Sequence, residues 1–92
     1  MTNKAFPGVK LFELKATHGL PLDVAVDRII NTERMVIDWQ GFIDQARLQG
    51  WYDFQTLDAA EQALTDADVP RDYRDAAVLR MKSYIMENRH AK

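Results

Sequence analysis

Helix breakers divide this chain at intervals, and they constrain its fold more than any other feature. Pro7-Gly8, Gly19-Leu20-Pro21, Gly50 and Asp68-Val69-Pro70 punctuate it, and the segments between them carry apolar residues at three- and four-residue spacing. A proline at a helix start loses no needed hydrogen bond, and a glycine past a helix end takes the left-handed conformation that closes the last turn. The pattern predicts an all-α fold: a single compact domain of four to five short helices, orthogonal or bundle-like, over residues 9–90, preceded by an arm over 1–8.

The first helix is expected over 9–17, with Val9, Leu11, Phe12 and Leu14 for contact and Gly19 to end it. The second runs over 21–31, where Leu22, Val26, Ile29 and Ile30 make one face and Asp23 suits the positive end of the dipole. Met35, Val36 and Ile37 read as an extended piece too short to bring a sheet with it. Residues 38–54 hold both tryptophans, and they organise the rest. Asp38 is placed to cap a third helix, Trp39, Phe42, Ile43 and Ala46 share its inward face, and Gly50 closes it. Thr56 is expected to cap the fourth, whose Leu57, Ala60, Ala63, Leu64 and Ala67 form a narrow stripe allowing close approach. In the fifth, over 71–88, Tyr73, Ala77, Val78, Met81, Tyr84 and Ile85 make an apolar arc. Leu79 and Met86 fall outside it, either packed by the arm or exposed for a partner.

Ninety-two residues, 47% hydrophobic and 28% charged, suffice for one ordinary globular core and exclude a disordered tail as the main content. The lack of cysteine excludes disulfide and thiolate chemistry. No apolar run follows Lys4, so the expectation is a cytoplasmic chain with no membrane span. The net charge of −2 gives no general attraction to nucleic acid or anionic lipid. Its distribution is uneven: Asp53, Asp58, Glu61, Asp66 and Asp68 fall in a segment without a base, followed by a final segment rich in Arg and Lys.

No residue pattern points to catalysis. Ser83 has no nucleophile elbow around it, and His18 and His90 lack a second ligand or acid at working spacing. Asp66 and Asp68 resemble a fragment of a calcium loop, but Val69 and Pro70 stand where a central glycine is needed. The glycines are dispersed singly and build no phosphate cradle. The expectation is a chain that is not an enzyme, with no cofactor and no metal.

Two surfaces remain. Trp39, Phe42, Trp51, Tyr52 and Phe54 supply the area a small helical core needs or, in the alternative, a partly exposed binding surface, and Trp51 or Tyr52, past the Gly50 terminator, is the one expected to reach the surface. With Leu79 and Met86, Trp51 and Tyr52 form the candidate protein interface. The alternative is a nucleic-acid edge made by Arg71, Arg74, Lys82 and Arg89. A helix-turn-helix over 9–31 would present Asp23 and Asp27 to phosphates, which argues against DNA. The leading expectation is a non-enzymatic protein-interaction module, self-associating through the last helix or binding another protein, with a small DNA-binding regulator as the alternative.

Residues 12–23 (FELKATHGLPLD), 37–43 (IDWQGFI) and 50–54 (GWYDF) resemble small proteins encoded in tailed phages and prophages. The likeness spans most of the chain and transfers no catalytic residue; it implies a phage, prophage or bacterial accessory protein. The segment beginning at Phe42 also resembles the start of alanyl-tRNA synthetases, over a handful of residues and none of the aminoacylation site.

Overall fold

Pro7 sets the start of the first helix from one side and frees a short strand on the other. In the computed structural model, which describes residues 4–87, β1 (Ala5–Phe6) runs into Pro7, and α1 (Gly8–Ala16) follows at once. Within the expected arm, Ala5 and Phe6 therefore form a strand and Gly8 already belongs to α1. β1 pairs in parallel with β2 (Val36–Ile37), with Ala5 opposite Val36 and Phe6 opposite Ile37. The Val36 amide donates to the Lys4 carbonyl at 3.1 Å and the Asp38 amide to the Phe6 carbonyl at 3.0 Å. The extended reading of 35–37 holds for Val36 and Ile37, but its partner is a strand some thirty residues upstream that has no signature of its own.

Helix α2 (Leu22–Val26) begins after Pro21, which sits at its N-cap rather than inside its first turn. It continues as a π-helical segment, Asp27–Thr32, and the Glu33 amide reaches back five residues to the Arg28 carbonyl at 2.8 Å. One helix over 21–31 is thus right in extent and wrong in winding. Asn31, carried on the π turn, donates through Nδ2 to the Ala67 carbonyl at 3.0 Å and to Asp27 Oδ1 at 2.8 Å.

Helix α3 (Trp39–Leu48) follows Asp38, whose Oδ1 accepts the Gly41 amide at 3.1 Å as a side-chain cap should. Helix α4 spans Asp53–Asp66 and α5 Arg71–Glu87. Thr56 does not cap α4. The helix opens three residues earlier, and Thr56 is completely buried in its second turn, its Oγ1 donating to the Tyr52 carbonyl at 3.2 Å.

Among the described residues the fold is all-α with five helices and one two-stranded parallel pair, and its radius of gyration of 12.4 Å is that of a compact domain of this length. Trp39, Phe42, Ile43 and Ala46 are buried together on α3, and Ala60, Ala63, Leu64 and Ala67 bury the small-residue stripe of α4. Aromatic rings run through the core in a chain of contacts: Trp39 meets Phe42 edge-on at 5.7 Å, Phe42 meets Phe12 tilted at 5.7 Å, and Phe12 meets Trp51 edge-on at 5.2 Å.

Candidate interaction surface

The turn between α3 and α4 decides which aromatics face water. Gly50, at φ +87°, closes α3, and the Trp51 amide returns to the Ala46 carbonyl at 2.9 Å. This folds Trp51 back onto the core. Its ring meets Phe12 edge-on, and the Lys15 ammonium lies 5.4 Å from its centroid. Trp51 is half-buried, so of the two candidate surface aromatics it belongs to the rim of the core.

Tyr52, extended at the N-cap of α4, points outward. Its ring stacks on Phe54 with centroids 5.7 Å apart and planes 8° from parallel, and the two residues are 70% and 75% exposed. Leu48, the last residue of α3, is 79% exposed. The turn beneath is braced: Arg47 Nε and Nη2 donate to the two Asp53 carboxylate oxygens at 2.8 and 2.9 Å. This paired geometry holds the Arg47 pKa above its ordinary value, chiefly through the hydrogen bond to Asp53. One turn back on the same flank of α3, the Tyr84 hydroxyl donates to Asp44 Oδ1 at 2.6 Å.

Phe54 was absent from the expected interface, and the reason is the helix start. With Thr56 as the cap of α4, Phe54 sits in a turn of undefined direction. With the start at Asp53, Phe54 lies opposite Ala60, Ala63 and Ala67 on the helical wheel, which is outward. Leu48 follows the same logic on α3, two residues and about 200° from buried Ala46.

Leu79 and Met86 stand exposed on the outer face of α5, uncovered by the N-terminal residues that the structure describes. Leu79 borders a shallow groove of about 340 Å³ between α4 and α5, shared with Glu61, Arg74 and Lys82. They do not join the Tyr52–Phe54 stack into a described continuous surface. Of the basic edge, Arg71 and Arg74 both lie near Asp75, at 3.8 and 4.0 Å, and Lys82 is exposed, while Arg89 and His90 fall outside the described residues. His18 and Ser83 are exposed.

A second concavity of about 550 Å³ opens where β2 and the start of α3 meet α5, lined by Val36, Ile37, Trp39, Tyr73, Ala77 and Arg80 among others. Within its wall the Tyr73 hydroxyl accepts the Ile37 amide at 3.1 Å, which caps the open edge of β2. Trp39 is almost wholly buried there, with its Nε1 donor unpartnered among the described residues. No group of three metal-ligating side chains, and no helix long and apolar enough to cross a membrane, occurs among the described residues. No family model, curated protein or solved structure matches this chain.

Proposed function

We propose that this chain is a non-enzymatic protein-interaction module, of the kind carried as an accessory by phages, prophages or bacteria, and that the Tyr52–Phe54 stack with Leu48 is the part that meets its partner. The observation that carries the reading is the stack: two large rings held parallel on a braced turn and left mostly in water. Tyrosine and phenylalanine have few rotatable bonds, so immobilising them at an interface costs little entropy, and clusters of this type dominate binding energy where they occur. Each of the three side chains is mostly exposed, on the order of 500 Å² in all. That is less than the roughly 800 Å² per partner of a standard interface, which suits an exchangeable contact extended by neighbouring polar surface.

The test is site-specific photo-crosslinking in the native cells, with a photoreactive phenylalanine analogue at position 54 and, as control, at exposed Glu13. Discrete adducts at position 54, lost when Tyr52→Ala is added, are the expected result, and adduct mass tells a second copy from another protein. Absence of adducts at 54, or the same adducts from position 13, would overturn the reading.

A further inference from the structure

The outward face of α4 does not end at Phe54. Phe54, Asp58, Glu61 and Thr65 recur at helical spacing and form one stripe, and all four are exposed. This stripe is opposite the buried Ala60–Ala63–Ala67 face, so its direction is set by the packing of the helix and not by the rings alone. The helix thus presents a stacked aromatic platform followed, one turn on, by a carboxylate.

The charges around that platform are not balanced. Arg47 and Asp53 neutralise each other at the start of α4. Glu61 shares its groove with Arg74 and Lys82. Asp58 is left without an ion pair among the described residues, and residues 53–69 contain no base of their own. Next door, the chain already places a cation on an aromatic face, Lys15 over Trp51, whereas among the described residues none lies over Tyr52 or Phe54.

Resting on the interaction reading above, we propose that the partner reaches this corner with an arginine-bearing basic segment, one guanidinium lying flat on the Tyr52–Phe54 stack and pairing with Asp58. Arginine fits better than lysine: its planar group stacks on a ring while its edge donates two hydrogen bonds to a carboxylate, and it is more weakly hydrated than an ammonium. The separation between a ring and a carboxylate four residues apart on a helix, about 5–6 Å between Cβ atoms, is within the reach of a single guanidinium. An aliphatic neighbour in the same segment would rest on Leu48. The contact weakens as salt rises, because Asp58 is in water.

The probe is a short peptide of alternating arginine and leucine, compared with its lysine counterpart, titrated into the full chain while backbone amide shifts are followed by NMR. The expected result has three parts: the arginine peptide binds several-fold more tightly, its shifts centre on residues 52–61, and affinity drops about tenfold with Phe54→Ala or with Asp58→Asn. Both substituted side chains are exposed, so thermal unfolding should confirm that the variants remain folded. Equal affinity for the two peptides, or an unchanged affinity in Asp58→Asn, overturns the proposal. Crosslinks from position 54 that persist in competition with saturating arginine peptide overturn it too, and leave the interaction reading standing. Loss of those crosslinks in the same competition supports both, whereas their absence from the outset removes the interaction reading itself.

Discussion

Gly8 is the tightest point of the fold. It is buried where α1 starts against the start of α3, and a Cβ built there would overlap the Asp38 carbonyl oxygen and the Phe42 amide nitrogen. Both obstacles are backbone, so neither can swing aside. Gly8→Ala should force α1 from α3 and destabilise the chain by about 3 kcal/mol or more, measured by urea unfolding. The opposite sign is expected at the two non-glycine residues with left-handed backbone, Arg34 at φ +58° and Asp68 at φ +56°. Arg34→Gly should stabilise by about 0.5–1 kcal/mol, seen as a raised urea midpoint at unchanged slope, after the added freedom of glycine in the unfolded chain is deducted. Asp68→Gly should gain less, because aspartate tolerates this conformation better than arginine. Asp68 is thereby explained as a helix terminator after α4: the neighbouring Val69 amide donates to the Leu64 carbonyl at 3.3 Å, and no calcium loop is needed.

Between elements, two polar pins join parts of the chain far apart in sequence. The Tyr84–Asp44 hydrogen bond joins α5 to α3, and it holds the Tyr84 pKa above the ordinary tyrosine value because the carboxylate must accept a proton that ionisation would remove. A raised pKa in the folded state means a contribution that is complete below about pH 10 and lost as pH climbs through the raised value. Tyr84→Phe should therefore cost about 1 kcal/mol at neutral pH. The gap between wild type and variant should close in alkaline urea titrations, which cancel the other tyrosines and the lysines common to both. The second pin is Asn31, whose amide satisfies the Ala67 carbonyl just past the end of α4. Asn31→Ala should cost about 1 kcal/mol by the same measurement, without altering the Tyr52–Phe54 corner.

The whole molecule is small, so one core ring is a large share of its stability. A chain of this length is stable by roughly 5–14 kcal/mol, and Phe42→Ala should remove about 3–5 of them, because fully buried Phe42 contacts both Phe12 and Trp39 and the surroundings cannot close the gap. Calorimetry that showed less than about 1 kcal/mol would mean the aromatic chain is not the centre of the core.

At this scale the helix boundaries were largely legible. Gly19, Gly50 and Pro70 stop or start helices by their own backbone chemistry, and Asp38 caps by its own side chain, so each acts without reference to distant parts of the chain. The inward faces of α3 and α4 followed from spacing for the same reason: periodicity is a property of the segment. The candidate surface was half legible. Tyr52 is exposed as expected, but Trp51 turns inward onto Phe12, and Phe54, which reads as core area when Thr56 is taken as the cap, faces outward because the cap is Tyr52, four residues earlier.

Other features depend on what lies across the fold. The parallel pairing of β1 with β2 joins residues some thirty positions apart, and neither two-residue strand could persist unpaired. The π winding after α2 carries the Asn31 amide to a carbonyl on another element, and Thr56 is buried because α4 was extended past it by a tyrosine with no capping preference. Residue order alone thus suffices for helices, their ends and their apolar faces, which are set by neighbours within a few residues. Strand pairing, helix winding, the need for glycine at position 8 and the choice of exposed aromatic came only with the packed chain, because each is set by atoms that folding brings together from far along it.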